Sequence, residues 1–194
     1  MRAALGLARR GLGRVAPNPA VGCVLVREDL CPNGRVVGRG WTQPGGRPHA
    51  ETQALTQAGD NARDAHAYVT LEPCNHQGQT GPCSVALIEA GVSRVTVAIE
   101  DPDPRVSGAG SQRLRDAGID VRIGLLSDES RQLNAGFLSV IERARPWLTM
   151  KTATTLDGTI ASRSGKSQWI TGAAARRRGH LIRADNGAIR TGIG

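Results

Sequence analysis

Aromatic residues are scarce in this sequence: they make up 3% of 194 residues, with one Phe, one Tyr and three Trp. Proteins that bind single-stranded nucleic acid stack successive bases on aromatic side chains, and this composition offers no such platform. The formal net charge is +8, but the basic residues are scattered and their tightest run is Arg176, Arg177 and Arg178. We therefore expect a solvated, arginine-rich surface and no nucleic-acid partner. The same positive field would help an anionic small substrate.

Long apolar runs are also absent, because no stretch approaches the roughly 18 to 20 residues that span a bilayer. The opening MRAALGLARRGLGR has arginines on both sides of a short apolar stretch. It has neither a long hydrophobic region nor a small-residue cleavage site, so it predicts an amphipathic helix and not a signal peptide. We expect no membrane partner, and a cytoplasmic location follows by default.

Cysteine is used sparingly, with four residues in the chain. A chain of this length does not depend on the disulfide framework that stabilises small secreted domains. Cys23 lies in the apolar run AVGCVLV, where a buried thiol is expected, and Cys31 lies in a polar turn and receives no role. For Cys74 and Cys83, three explanations stay open at this point: a metal site, a disulfide, or chance.

Helix-like and strand-like segments alternate along most of the chain. Helices are predicted over residues 2–13, 49–59, 83–91, 108–118 and 127–143, and strands over 20–27, 35–41, 67–71, 94–100 and 119–125. This alternation predicts an α/β fold whose central sheet includes parallel pairs. Pro146 follows the last of these helices and predicts a boundary between domains 1–145 and 146–194. Beyond it we expect a helix near 173–184 and a strand-like GAIRTGIG.

The residues that could carry chemistry concentrate between His49 and Cys83. His49 and Glu51 fall in the first turn of one predicted helix, Cys83 begins another, and Cys74 follows a strand end. Such positions meet at one edge of an α/β sheet. One His and two thiolates would give zinc three ligands and leave the fourth tetrahedral position for water. Helix N-termini also favour the thiolate that a metal needs.

Glu51 supplies the second half of this chemistry. Bound zinc lowers the pKa of water towards roughly 7, and Glu51 could move that proton to a leaving group. His-x-Glu followed by Pro-Cys is the layout of zinc-dependent nucleobase deaminases. Taken singly, His49 could cap a helix, Glu51 could complement a helix dipole, and the cysteines could be packing residues. Their occurrence together and in this order favours the metal site.

Five segments of the sequence resemble, in order, the deaminase domain of the bifunctional riboflavin-biosynthesis deaminase–reductases: APNPAVGCVLV, GRPHAETQAL, YVTLEPCNHQGQTGPC, ALIEAGVSRVTVAIEDPDPRVSGAG and LNAGFL. The eight residues between the two cysteines are a specific part of this match. The resemblance implies a cytidine-deaminase-like three-layer fold, a mixed five-stranded sheet between helices. It also implies that a 2,5-diamino-6-(phosphoribosylamino)pyrimidinone loses its 2-amino group to water, giving the uracil and ammonia.

The resemblance assigns roles residue by residue. The implied zinc ligands are His49, Cys74 and Cys83, the proton shuttle is Glu51, and the substrate contacts are Asn18, His76 and Asp101. The sequence departs from the family at three positions. Family members usually have His where Thr42 stands, a basic residue where Gln79 stands and Asn where Asp103 stands. In the family these positions surround the phosphoribosyl end of the substrate, so the resemblance does not show how this chain holds the phosphate.

The residues after Pro146 resemble the opening of the family's reductase domain, through MKTATTLDGTIA and GKSQWITG. That domain uses NADPH to reduce the ribose to a ribityl chain. The positions that match its substrate-side and cofactor-side motifs are Lys151, Asp157, Ser167 and Trp169. Fewer than 50 residues follow Pro146, too few for a stable nucleotide-binding core. We expect an incomplete α/β reductase segment and no NADPH-dependent reduction by this chain alone.

The leading hypothesis is therefore a zinc-dependent deaminase acting on a small phosphorylated pyrimidine. One alternative is a deaminase of another aminated base or nucleoside, including a base in tRNA. A second is a zinc-stabilised binding module without catalysis. Glu51 discriminates against the second, because a structural zinc site needs no acid/base residue and is normally closed by a fourth ligand. The sequence also leaves open whether the chain forms a homo-oligomer.

Overall fold

The computed structural model describes residues 1–77, 81–103 and 107–191. The chain forms two compact units, Met1–Trp147 and Leu148–Gly194, and each is described by itself. The elements of the first unit are α1 (Arg2–Ala8), β1 (Gly22–Arg27), β2 (Arg35–Trp41), α2 (Ala50–Ala58), β3 (His66–Val69), α3 (Cys83–Glu89), β4 (Arg94–Val97), α4 (Ala109–Asp116), β5 (Asp120–Ile123), α5 (Ser127–Leu133) and α6 (Ala135–Arg143).

The five strands form one mixed sheet in the order β2-β1-β3-β4-β5. β1 runs antiparallel to both β2 and β3, whereas the β3–β4 and β4–β5 pairs are parallel. Parallel neighbours need a crossover connection, and α3 and α4 lie in those crossovers. The predicted α/β fold with a mixed five-stranded sheet is confirmed.

Helices cover both faces of the sheet, as β1 shows. Successive strand residues point to opposite faces. Cys23 and Leu25 belong to the larger apolar core that contains Ala54 of α2. Val24 instead packs in a smaller cluster with Leu7 of α1. β1 is therefore apolar on both sides, and α1 and α2 lie on opposite faces of the sheet.

Two glycines let α2 approach the sheet backbone closely. A Cβ added to Gly40 of β2 would lie 1.9 Å from the carbonyl oxygen of Ala50, and one added to Gly38 would lie 2.2 Å from that of Ala54. Any larger residue would push the helix outward. This contact sets the depth of the first turn of α2, where the His-x-Glu motif lies.

The prediction of one long helix over residues 127–143 is wrong, because the segment breaks into α5 and α6 at Asn134. Asn134 is buried, and its side-chain amide forms hydrogen bonds to the backbone of Ala20. These long-range bonds hold Asn134 at the junction with φ −99° and ψ 20°. The first helix also ends earlier than predicted, and a 3-10 turn over Arg9–Gly11 follows it. Gly11 and Gly13 are poor helix formers.

The second unit contains α7 (Ala173–Ala184), which confirms the helix predicted near 173–184. Between residues 148 and 191 the structure contains no strand, and the strand predicted for GAIRTGIG does not form over residues 187–191. A strand needs a partner to complete its hydrogen bonds, and the described part of this unit provides none. Residues 192–194 of that prediction lie outside the described residues. In the described ranges we find no helix that combines the length and apolar character needed to cross a membrane.

Candidate metal centre and substrate pocket

Three side chains that could hold a metal ion meet at one edge of the sheet. Cys83 is the first residue of α3, and Cys74 follows Pro73 in the loop after β3. His49 is the N-cap of α2 with extended backbone, just outside the first turn in which the sequence placed it. Its Nδ1 atom lies 3.3 Å from the Cys83 sulfur and 3.7 Å from the Cys74 sulfur. All three ligand atoms lie within 4.8 Å of one another.

These distances fit tetrahedral zinc. Bonds of about 2.3 Å to sulfur and about 2.0 Å to nitrogen put the ligand atoms of a tetrahedral site roughly 3.6 Å apart. The two observed nitrogen–sulfur distances lie on either side of that value. Among the described residues the cluster has three members, as in catalytic zinc sites that keep one position open.

The protonation of the two thiols also points to a cation. Hydrogen bonds from the Cys83 thiol and the His49 imidazole help lower the pKa of Cys74 to about 4, and the backbone N–H of Cys83 donates to the same sulfur at 3.3 Å. The contact with Cys74 and burial raise the pKa of Cys83. Without a cation the Cys83 sulfur therefore keeps its proton, and a bound metal ion would let both sulfurs be thiolates. All four cysteines are free thiols, so the disulfide explanation for Cys74 and Cys83 is wrong for this structure.

Glu51 lies beside the metal-binding residues in the first turn of α2, where only 3% of it is exposed. Burial, followed by the negative charge of Cys74, raises the pKa of its carboxyl to about 7. A carboxyl with this pKa exchanges protons readily near neutral pH. Its environment therefore suits general acid/base chemistry better than the capping of a helix.

A pocket opens over the metal-binding residues, and the predicted substrate contacts line it. Asn18, His76 and Asp101 all face this pocket, together with Glu51. Burial raises the pKa of Asp101. A separate, more open groove between α1, β2 and α2 has Arg10 stacked 4.8 Å from the Trp41 ring. None of the metal-binding residues lines that groove, so we assign the chemistry to the pocket.

Glu72 is a pocket residue that the sequence reasoning missed. It is buried, and one carboxylate oxygen accepts hydrogen bonds from the backbone N–H groups of Asp101 at 3.1 Å and Gly108 at 3.0 Å. The other oxygen accepts one from Ser111 at 2.8 Å. Glu72 thereby ties the loop that carries Asp101 to the strand end that leads into Cys74. It was visible in LEPC, but hydrogen bonds across 29 to 39 residues leave no local signal.

Asn134 and Phe137 form a second support that the sequence did not reveal. The Asn134 side chain accepts the N–H of Ala20 at 2.8 Å and donates to its carbonyl at 3.0 Å. Ala20 is two residues from Asn18, so the break between α5 and α6 holds the substrate-side loop. Phe137 of α6 lines the pocket directly. Both residues fall in LNAGFL, the last deaminase segment noted in the sequence.

The positions that depart from the family pattern also lie in this region. Thr42 is buried in the pocket wall and its hydroxyl accepts the N–H of Val21 at 2.9 Å. Asp103 lines the pocket as well. Gln79 lies outside the described residues.

The four reductase-segment residues are exposed in the second unit: Lys151, Asp157, Ser167 and Trp169. The ring of Trp169 lies 4.2 Å from the guanidinium of Arg176. Asp157 accepts a hydrogen bond from the Thr155 hydroxyl, and this bond lowers the pKa of Asp157. These contacts are local. Within the described part of the chain, no hydrogen bond or ring contact joins the four side chains into one cluster.

The chain combines a mixed sheet that has helices on both faces with a His-x-Glu motif at a helix start and two cysteines at the same edge. This combination is typical of zinc-dependent deaminases. The chain belongs to the family of the cytidine and deoxycytidylate deaminase zinc-binding region, whose model matches residues 1–99. The zinc prediction is confirmed at the level of this family. Residues 146–194 match the model of the RibD C-terminal domain.

Curated relatives confirm the resemblance to the riboflavin-biosynthesis deaminase–reductases. The chain is 46% identical over 193 residues to the riboflavin biosynthesis protein RibD of Aquifex aeolicus, covering 100% of this chain and 53% of that protein. It is 50% identical to RibD of Escherichia coli, covering 98% of this chain and 51% of that protein. The chain thus spans about half the length of the curated relatives it matches.

Solved structures give the same result. The diaminohydroxyphosphoribosylaminopyrimidine deaminase/5-amino-6-(5-phosphoribosylamino)uracil reductase of Thermotoga maritima superposes with a TM-score of 0.86 at 40% identity, covering 94% of this chain and 51% of that one. RibD of Acinetobacter baumannii superposes with a TM-score of 0.84 at 48% identity, covering 96% and 51%. The Rib2 deaminase of Aspergillus oryzae, at 23% identity and a TM-score of 0.57, supports the fold alone.

Proposed function

We propose that this chain catalyses the hydrolytic deamination of 2,5-diamino-6-(5-phosphoribosylamino)pyrimidin-4-one to 5-amino-6-(5-phosphoribosylamino)uracil and ammonia, a step of riboflavin biosynthesis. The observation that carries the proposal is the buried Glu51 carboxyl in a pocket that His49 and Cys74 also line, with the Cys83 sulfur within 4.8 Å of both of their ligand atoms. The relatives named RibD and the bifunctional enzyme of Thermotoga maritima support the choice of substrate. Residues 1–145 would hold the deaminase, and residues 146–194 the first part of a reductase that uses NADPH.

His49, Cys74 and Cys83 would hold the zinc ion. Zinc bound there would supply a Lewis acid that makes water a nucleophile near neutral pH. Asn18, His76 and Asp101 would hold the pyrimidine and its ribose, and thus place the 2-amino carbon next to Glu51.

Glu51 would then move protons between water and the leaving group. Its carboxylate accepts a proton as the water oxygen bonds to the pyrimidine carbon, and its acid form donates one to the amino group, which leaves as ammonia. The product carries the water oxygen as its new carbonyl. Burial raises the pKa of this carboxyl, which helps it to take up the proton that it then passes on.

The test is ammonia release from the diaminopyrimidine nucleotide by the zinc-loaded chain and by Glu51→Gln. The variant keeps the size of the side chain but cannot take up a proton, and general acid/base catalysis is worth roughly 10²- to 10⁴-fold. We expect kcat to fall by that factor while the zinc content stays the same. Glu89→Gln, an exposed position on α3, is the matched control. Near-normal turnover by Glu51→Gln would refute the assigned role, and no ammonia release by the wild-type chain would refute the function.

A further inference from the structure

The substrate pocket is rich in carboxyl groups. Glu51, Glu72, Asp101 and Asp103 all line it. A phosphorylated substrate brings further negative charge into these surroundings, and like charges at short range raise the free energy of the complex. Among the described residues that line the pocket, Arg47 carries the only guanidinium, alongside the imidazoles of His49 and His76.

Arg47 lies in the loop between β2 and α2, which contains two backbone hydrogen bonds of its own. The N–H of Gln43 donates to the Pro48 carbonyl at 3.2 Å, and the N–H of Gly46 donates to the Gln43 carbonyl at 2.8 Å. Gly46 abuts Asn18 so closely that an added Cβ would lie 2.0 Å from the Asn18 amide nitrogen. Arg47 therefore directly follows Gly46, which packs against Asn18, the proposed pyrimidine contact.

Arg47 lines the same pocket as Asn18, Asp101 and Asp103. Its positive charge therefore lies at the wall of the space that the substrate would enter. The side chain is half-buried. Water and salt therefore screen its charge less than they screen the charge of a fully solvated arginine. A guanidinium presents parallel N–H donors that match two phosphate oxygens.

We propose that Arg47 binds the phosphate group of the substrate and so replaces the basic contacts expected at positions 42 and 79. The inference rests on the proposed function and adds a residue to it. Thr42 does not take this role, because its hydroxyl accepts the Val21 N–H at 2.9 Å and donates to the Val21 carbonyl at 3.5 Å. The class of ligand is a phosphate monoester on a ribose.

The experiment compares two substrates, the phosphorylated diaminopyrimidine ribotide and the same compound without its phosphate. For Arg47→Gln we expect the KM of the phosphorylated substrate to rise about 10- to 100-fold, the value of a lost charge-assisted hydrogen bond. The KM of the dephosphorylated substrate and both kcat values should stay within about twofold. Arg47→Lys keeps the charge without the fork, so its KM should lie between those of the wild type and Arg47→Gln. Arg115→Gln, an exposed arginine on α4, controls for net charge.

Equal KM changes with the two substrates would overturn the proposal, because Arg47 would then act on the pocket and not on the phosphate. The proposed function would survive that result. If the wild-type chain released no ammonia, the function would fail and Arg47 would be judged by titration with ribose 5-phosphate. Weaker binding by Arg47→Gln than by Arg115→Gln supports the phosphate contact, and equal binding overturns it.

Discussion

Replacing Glu72 with Gln tests how the pocket is held together. The change keeps the shape of the side chain but turns one of its two acceptor oxygens into a donor. In the wild type one oxygen accepts the N–H groups of Asp101 and Gly108 and the other accepts that of Ser111. In either orientation, the new amide places N–H against N–H on at least one side.

The cost follows from these three bonds. In the better orientation the amide oxygen faces Asp101 and Gly108, and the Ser111 N–H loses its acceptor in a buried place. An unsatisfied buried donor costs about 1–3 kcal/mol, and two bonds weakened from charged to neutral acceptors add about 1 kcal/mol each. The free energy of unfolding should therefore drop by about 3–5 kcal/mol. For a chain of this size that corresponds to a fall in Tm on the order of 10 °C.

The assay is thermal unfolding followed by circular dichroism on zinc-loaded proteins at matched concentration, with zinc measured in each sample. Glu89→Gln serves as the control, because that side chain is exposed. A Tm for Glu72→Gln within about 2 °C of the wild type would show that these hydrogen bonds do not anchor the loop, and the reasoning would be refuted.

The other predictions use simpler changes. His49→Ala should lose the roughly one zinc per chain that we expect after dialysis, as measured by metal analysis; full zinc content would contradict the ligand assignment. Gly40→Ala places a Cβ 1.9 Å from the Ala50 carbonyl oxygen, so both ammonia release and Tm should fall. Gly136→Ala meets no atom within 4 Å and should leave both unchanged or slightly raise Tm; equal effects of the two glycine changes would refute the close-approach argument. Burial lowers the pKa of His66, so the unfolded state binds more protons below about pH 6.5. The free energy of unfolding, measured by urea titration, should therefore decrease as the pH falls through that window. For His66→Gln the decrease in this free energy should be smaller. Parallel pH profiles of the two proteins would contradict this prediction.

Much of the fold was predictable because its signals are local. The alternation of β-branched strands with helices that end at glycine gave the α/β class and the five strands of the sheet. The grouping of His49, Glu51, Cys74 and Cys83 was also predictable, since each residue lies at the start of a helix or in the loop that follows a strand. These are positions that an α/β sheet brings together at one edge.

The supports of the site were not predictable, because their partners lie far away along the chain. Asn134 sits in a segment whose apolar spacing suits one continuous helix, and only its bonds to Ala20 show why the helix breaks. Glu72 received no role from the sequence, yet its carboxylate accepts hydrogen bonds from three distant N–H groups. In the same way, no local pattern showed that Arg47 shares the pocket wall with Asn18.

The bond between Asn134 and Ala20 also bears on how the site can come apart. It spans 114 residues, whereas the contact between His49 and Cys83 spans 34. Loop-closure entropy grows with the logarithm of length, so the longer connection costs about 1 kcal/mol more to close. Local opening that releases α5 and α6 would free the Asn18 loop without itself breaking the contacts of His49 with Cys74 and Cys83. A preparation can therefore hold its full zinc content and still lack a formed substrate pocket, so metal analysis alone does not report the active fraction.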